Sequence, residues 1–339
     1  MEQQGDNQGD RGCPDQGEQL TVGARDNPMA ESSGRKGLPY AIPHRISVRF
    51  SACRVAGFIK KGWSPDEKYL LEDQDGRRFL LRISRSVGAV RRAETAYAML
   101  AASFGGVRVP EPVETGSLAD GSTFVLQTWL EGIPLDDVLS GMDVSSQRTI
   151  GEEAGGILKS IHAGSFTKPE HDWSYRMLRK LERHIKAYSE SGLSLPWTEP
   201  ALSCINDNLG LLTGRPSLPQ HGDYHPGNMI LGRDGRLGIV DFDRCDFGDP
   251  FEEFHRAAVF ARPLSVNFVN GQIRSYFDGE PEDVFWRLLK LYLADIVMYS
   301  PIWAMPFGKD QVDIMMEYSK SVVEDFGGFK LDRPVWYEP

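Results

Sequence analysis

The chemistry-bearing residues of this chain concentrate in two short runs, His221-Gly222-Asp223-Tyr224-His225-Pro226-Gly227-Asn228 and Ile239-Val240-Asp241-Phe242-Asp243. Between them lie the apolar stretches Met229-Ile230-Leu231 and Leu237-Gly238-Ile239-Val240, joined through Asp234-Gly235. That dipeptide favours a tight turn, so the segment reads as a β-hairpin. A turn centred on Asp234-Gly235 sets Asn228 opposite Asp241, with Cβ atoms about 4.5–5.5 Å apart on one face. An amide oxygen and a carboxylate so placed are hard donors that suit Mg²⁺. Asp223, in a loop opened by Gly222 and stiffened by Pro226, is expected to face the same space. Phosphoryl transfer needs such a set: one carboxylate off the metal orients the attacking hydroxyl and accepts its proton, while metal ions neutralise the triphosphate. Asp223 is the residue expected in that role, and base assistance is typically worth ~10²–10⁴-fold.

The neighbouring groups divide more simply. His221 suits a structural role, bonding backbone carbonyls, and His162, at the end of a helical stripe, suits capping or packing. His225 carries no assignment. Asp243 is either a third metal ligand or a solvated carboxylate, and both readings stand at this point. Two other functions fit parts of the pattern. In a metal-dependent hydrolase, His221, Asp223, His225, Asp241 and Asp243 would ligate a transition metal. In a non-catalytic nucleotide-binding module the same fold would be kept, usually with the base or a metal ligand lost; Asp223, Asn228 and Asp241 are all present.

The elements that must position these residues follow from periodicity. Residues 1–39 are rich in Gly, Gln, Asp and Ser, without apolar pattern, and are expected to form a disordered tail. Ile46, Val48 and Phe50, then Tyr69-Leu70-Leu71, an Asp75-Gly76 turn and Phe79-Leu80-Leu81-Arg82-Ile83 predict a small antiparallel sheet. Ala93, Ala96, Tyr97 and Leu100 predict one helix packed on it. Two further strands follow Pro110 and Pro112, ending at Gln127. The expected boundaries are 40–128 for this β-rich lobe, 129–135 for a hinge, and 136–339 for a larger helical lobe. In the latter, Ile150, Ala154, Ile157, Leu158 and Ile161 predict one buried stripe, and Leu178, Leu181, Ile185 and Tyr188 another. The class is α+β with two lobes, the hairpin lying in the helical one.

Composition bounds the partners. A chain of 339 residues, 40% hydrophobic and 25% charged, has an ordinary globular composition. Its net charge of -10 argues against nucleic acid as a partner. Leu288 to Met305 is apolar but interrupted by Lys290, Asp295 and Pro301, so it reads as a core helix and no membrane partner is expected. Cys13, Cys53, Cys204 and Cys245 form no C-x-x-C pair, which suits a reducing cytoplasm. Cys245 is expected to be inert.

The string H-G-D-x-x-x-x-N, then V-D-F-D, with Gly248-Asp249-Pro250 just after, resembles the aminoglycoside phosphotransferase family, relatives of choline kinases within the protein-kinase-like fold. The likeness spans essentially residues 41–339. It implies a small-molecule kinase moving the γ-phosphoryl of ATP or GTP, with Asp223 catalytic, Asn228 and Asp241 holding Mg²⁺, Asp249 in a G-D-P turn, and Lys61 to Asp66 covering the phosphates. Two features depart from the pattern. The phosphate loop has only Gly57 and Gly62, which turns attention to Ser64 and backbone N–H groups. The lysine usual on this strand of the family is replaced by Arg82 in Leu80-Leu81-Arg82-Ile83, with Glu94 on the next helix as its expected ion-pair partner and Lys68 as the second cationic candidate. Gln127 and Trp129, where the last strand enters the hinge, complete the nucleotide-side set.

The acceptor is argued from charge. From residue 250 onward there are nine Lys+Arg against fourteen Asp+Glu, including Glu252, Glu253, Glu280, Glu282, Asp283 and Asp295. An acidic lobe suits a small cationic acceptor such as an aminoglycoside; an exposed solubilising face explains the same count. Trp286, Tyr292, Tyr299 and Trp303 are candidates to wall a pocket or to fill the core.

Overall fold

The structure, a computed structural model, describes residues 53–60, 64–86, 88, 94, 107–118, 120–164 and 172–338. The expected tail, the strand at Ile46–Phe50, most of the helix after β3 and residues 61–63 of the phosphate loop lie outside this set. The chain forms two lobes of mixed α+β type.

Five antiparallel strands build the first lobe in the order β1-β2-β3-β5-β4. They are β1 Arg54–Phe58, β2 Glu67–Glu72, β3 Arg78–Ser84, β4 Pro112–Ser117 and β5 Thr123–Thr128. Alternation decides which side chains face the core. Tyr69, Leu81 and Leu126 stand side by side across three strands, and Leu71, Ile83 and Phe124 extend the same face. The opposite face therefore carries Lys68 directly across from Arg82, then Val125, with Gln127 paired to Leu80. The two cationic candidates are thus cross-strand neighbours.

The connection to the second lobe is stitched to the hairpin. Trp129 N–H bonds to Arg78 O at 3.1 Å, and β6, Ile133–Pro134, pairs with β8, Met229–Leu231, which pairs with β9, Leu237–Ile239. The expected hairpin is present, but its register differs by one residue from a turn centred on Asp234-Gly235. Met229 faces Ile239 and Leu231 faces Leu237, so Asn228 lies across from Val240 rather than Asp241. Gly235 has φ 77° and its N–H bonds to Gly232 O, while Gly232 N–H bonds to Arg236 O. This is a three-residue loop, a turn followed by one left-handed residue, and the extra residue displaces the pairing.

Helices make the rest: α1 Val144–His162, α2 Trp173–Ser191, α3 Thr198–Asn208, α4 Val266–Phe277, α5 Asp283–Ala304 and α6 Lys309–Asp325. The α1 stripe packs as expected, Ile150, Ala154, Ile157, Leu158 and Ile161 all being buried. The α2 stripe packs only in part: Leu181 is buried and Tyr188 packs against the core, but Leu178 and Ile185 are exposed, and Trp173 and Met177 take the inward face instead, Met177 one position before Leu178. The long helix α5 is apolar enough by length and composition to cross a membrane, yet most of it is buried inside the lobe. Its internal charges all have partners: Arg287 donates to Asn208 Oδ1 at 3.2 Å, Lys290 to Leu331 O at 2.9 Å, and Asp295 meets His184 at 2.8 Å. Trp286 and Tyr292 are 1% exposed and belong to the core; Tyr299 stacks on His184 and Trp303 packs on Phe307.

α1 and α4 cross at backbone contact distance. A Cβ on Gly151 would lie 2.1 Å from Phe268 O, one on Gly155 2.2 Å from Gln272 O, and one on Gly271 2.4 Å from Arg148 O. Gly156, on the next face, would meet only Ser275 Oγ at 3.8 Å. Gly151→Ala is therefore expected to lower stability by about 1–3 kcal/mol through overpacking. Gly156→Ala should raise it by about 0.5–1 kcal/mol through helix propensity. Urea unfolding of the two variants measures the contrast, and equal effects would contradict the crossing described.

Candidate functional site

β7, Leu218–Gln220, delivers the His221-Gly222-Asp223 segment into the gap between the lobes. Gly222 has φ 79°, and a Cβ there would fall 2.1 Å from Arg244 O, so only glycine permits this loop to pass the turn after β9. His221 is wholly buried. Its Nε2–H donates to Val240 O at 3.0 Å and its Nδ1 accepts from Asp223 N at 3.2 Å, which makes it the structural histidine the sequence suggested. Tyr224, pinned by its hydroxyl to Ala154 O at 2.7 Å, anchors the far side of the loop on α1. His225 Nδ1 accepts from Gly227 N at 3.1 Å, starting the short turn Pro226–Asn228.

Asn228 ends that turn. Its Nδ2 donates to Asp223 O at 2.9 Å, so the amide nitrogen is engaged and Oδ1 is the end left to meet a cation. Val240 N–H bonds to Asn228 O at 3.0 Å, so Asp241 begins one residue beyond a direct backbone link to Asn228. Asp241 adopts φ 64°, ψ 61°, a left-handed conformation that costs of order 1–3 kcal/mol outside glycine and persists where surroundings enforce it. Among the described residues its carboxylate has no hydrogen-bond or ion-pair partner. The displaced register thus removes face-to-face pairing of Asn228 and Asp241, and Asp241 leaves the hairpin's open end in a left-handed conformation.

These donors fit Mg²⁺. Two hard oxygen groups, one a carboxylate with no partner among the described residues, suit an ion that keeps waters and takes its other ligands from phosphate. A transition-metal site fits poorly, because both nitrogens of His221 and Nδ1 of His225 are already used. Among the described residues no group of three or more His, Cys, Asp or Glu is placed to hold a metal.

Asp223 is part-buried, with Arg256 Nε 3.2 Å from Oδ1 and Arg244 Nε 3.9 Å from Oδ2. Burial works against its charge, but Arg256 foremost outweighs that and holds the carboxyl below its usual range. It is ionised at neutral pH. His225 is pushed down to about 4 by burial and is neutral there.

Behind the loop stand two buried acids. Glu253, 2% exposed, accepts from the backbone N–H groups of both His221, at 3.2 Å, and Gly222, and from His162 Nε2 at 3.0 Å. His162 in turn accepts from Tyr276 OH through Nδ1 at 2.8 Å. Asp249, fully buried in the Gly248-Asp249-Pro250 turn, takes both arms of Arg215 at 2.7 Å and the hydroxyl of Tyr292 at 2.6 Å. Glu252 pairs with Lys180 at 2.9 Å, and Glu280 and Asp283 pair with Arg333. The acids counted from residue 250 as a field for a cation are therefore largely committed inside the protein or to surface partners. Glu253 was legible only as a carboxylate wedged between Phe251 and Phe254, an acid inside an aromatic run. Nothing in the spacing marked Arg256 or His162 as its neighbours.

On the sheet side, Arg82 does not pair with Glu94, which is helical and exposed. Its guanidinium is taken by Asp66, at 2.5 Å, and by Asp243 from the other lobe. Asp66 is the nearer partner because it stands just before β2, two residues from Lys68 and so on the Arg82 side of the strand; burial works against its charge, but Ser84 and Arg82 together outweigh that and hold its carboxyl below the usual range. Asp243 is thereby an interlobe ion-pair partner. Ser64 Oγ accepts from Asp66 N at 3.2 Å. Lys68 has no carboxylate partner among the described residues. Burial pushes the Cys245 thiol up to about 12, and it stays free among the described residues.

The buried imidazoles make stability depend on pH. His255, like His225, is pushed down to about 4 by burial. Unfolded, each takes its proton near pH ~6.5. Between the two values the unfolded chain binds more protons, so stability rises with pH there and is lost on acidification, at about 1.4 kcal/mol per pH unit per group. The urea midpoint should fall between about pH 6.5 and about pH 4.5, and His255→Gln should flatten that slope. A midpoint that is level across the window would show that these imidazoles are not buried uncharged.

Residues 56–286, about two-thirds of the chain, match the model of the phosphotransferase enzyme family. A glucosamine kinase of Streptacidiphilus jiangxiensis is 35% identical over 72 residues, 21% of this chain and 16% of that enzyme. Among solved structures, aminoglycoside phosphotransferase APH(4)-Ia in a thermostable apo form superposes with a TM-score of 0.61 at 15% identity, covering 80% of this chain and 94% of that one. The GDP complex of aminoglycoside 2'-phosphotransferase-IIIa gives 0.60 at 15% identity, with the same coverage of 80% and 94%. The two lobes are those of the protein-kinase-like fold seen in these enzymes, and the chain belongs to the phosphotransferase enzyme family.

Proposed function

We propose that this chain transfers the γ-phosphoryl of ATP or GTP to a hydroxyl of a small acceptor, with Asp223 as base and Mg²⁺ held by Asn228 and Asp241. The observation that carries the reading is local: Asn228 binds the carbonyl of Asp223 itself, while the left-handed Asp241, without a side-chain partner among the described residues, follows the residue bonded to Asn228. One ionised carboxylate beside a separate pair of hard donors is the set that phosphoryl transfer uses. Asp223 aligns the acceptor hydroxyl and takes its proton. Bound Mg²⁺ would supply neutralisation of the phosphate oxygens. Lys68, Arg82 and Ser64 border the phosphates from the sheet, and Gln127 and Trp129 border the base where β5 leaves for the hinge.

For the acceptor we propose a small cationic hydroxyl compound of the amino-sugar kind. Relatives support this: one is a glucosamine kinase, and one solved neighbour is a ternary complex with ADP and hygromycin B. Free thiols at Cys53, Cys204 and Cys245 and dependence on nucleoside triphosphate suit the cytoplasm.

A panel of aminoglycosides, amino sugars, choline-like amines and macrolides, incubated with Mg–ATP or Mg–GTP, should yield one phosphorylated product by mass with matching nucleoside diphosphate. Asp223→Asn should reduce turnover about 10²–10⁴-fold while nucleotide still raises Tm. Asp241→Asn should weaken the Mg²⁺ dependence of that Tm rise. Full turnover in Asp223→Asn would remove the mechanism, and nucleotide binding without transfer to any hydroxyl would favour a binding module.

A further inference from the structure

Two arginines converge on Asp223 from segments that the sequence pattern did not mark. Arg256 comes from the helical turn Phe254–Arg256 that follows Gly248-Asp249-Pro250, and Arg244 from the turn just after Asp241. Their Nε atoms lie 3.2 Å and 3.9 Å from opposite oxygens of the one carboxylate. Two cations thus meet that one carboxylate. Arg256 is costly to keep, since burial disfavours its charge. Its buried Nε has no hydrogen-bond acceptor in proper alignment even with Asp223 so near. The guanidinium is therefore held in place without being saturated.

The opposite side of the cleft shows the converse. Arg82, the basic residue expected on the phosphates, is enclosed by Asp66 and Asp243. Two carboxylates about one guanidinium offset its charge, leaving Lys68, its cross-strand neighbour, as the cation beside it. Beside Asp223, by contrast, two guanidiniums stand within 4 Å of one carboxylate, with the buried Glu252 and Glu253 also acting on Arg256.

We propose that Arg256, assisted by Arg244, receives the transferring phosphoryl group, with Asp223 as its partner before the reaction. The inference rests on the kinase reading above. In the step, the acceptor oxygen bonds to the γ-phosphorus as the bond from phosphorus to the β–γ bridging oxygen breaks. The electron pair leaves with the nucleoside diphosphate, and the hydroxyl proton passes to Asp223. As Asp223 gains that proton it ceases to be a counter-ion, and the phosphoryl oxygens arriving beside it take its place. A planar guanidinium fork suits two such oxygens.

The test separates the γ-phosphate from the rest of the nucleotide. Calorimetry on the full chain gives Kd for Mg–ADP and Mg–AMP-PNP, with Mg–GDP and Mg–GMP-PNP in parallel. Wild type should prefer the triphosphate analogue. Arg256→Gln should cut that preference about tenfold or more, with diphosphate affinity within about twofold of wild type. Arg256→Lys should recover part of it, and exposed Arg244→Ala should lose a smaller share. Asp223→Asn combined with Arg256→Gln distinguishes contact from masking: a preference that stays low supports direct contact, and one that returns shows Arg256 only screens Asp223 and overturns the proposal. Unchanged preference in Arg256→Lys and Arg244→Ala also overturns it, even if Arg256→Gln fails to fold. Failure of wild type to bind any nucleotide would overturn the kinase reading and this inference together, whereas nucleotide binding with no arginine effect overturns this inference alone.

Discussion

A carboxylate taken out of water must be met by donors, and the placement of Glu253 turns that requirement into the architecture of the site. The donors that satisfy it are the backbone N–H groups of His221 and Gly222 and the imidazole of His162. Breaking such an arrangement leaves a buried charge uncompensated, so the loop before Asp223 has few other places to go. Asp249 does the same for the turn that carries Glu253, through Arg215 and Tyr292. Two buried acids thus connect α1, α4 and α5 to a loop that itself contains almost no apolar anchorage beyond Tyr224.

Rigidity behind the loop permits strain in front of it. Asp241 sits in a left-handed conformation ahead of the Phe242–Arg244 turn, and Gly222 passes that turn so closely that no Cβ fits. The two segments fix one another: the Asp223 loop is shaped by Arg244's backbone, and Arg244's side chain returns toward Asp223. Charge in the cleft is arranged with the same economy. Cations gather at Asp223 and carboxylates at Arg82.

The two lobes meet through polar links rather than through a shared apolar core. Arg82 reaches Asp243, Arg108 reaches Arg236 O and Glu131 O, and β6 pairs with β8. The apolar clusters of the lobes are separate. Polar links of this kind exchange readily with water and ligand, which suits a cleft that must admit a nucleotide and an acceptor.

Much of this was legible from local pattern, because period-2 alternation and helical stripes report which face is buried. The sheet strands, the α1 stripe, the hairpin and the structural place of His221 follow from nearest-neighbour physics. The hairpin register did not, since Asp234-Gly235 is compatible with both a two- and a three-residue loop and only the packed strands choose between them. The α2 face was misread at Leu178 and Ile185 for a related reason: several apolar residues on one helix allow more than one stripe, and the partner helix decides. Charges were least legible of all. Composition counts carboxylates but not their partners, so Glu252, Glu253 and Asp295 looked like a surface field, Arg82 looked destined for Glu94, and Arg256 did not stand out. Which cation meets which anion depends on distance in a medium of low polarizability, and distances between residues remote in sequence exist only once the chain has folded.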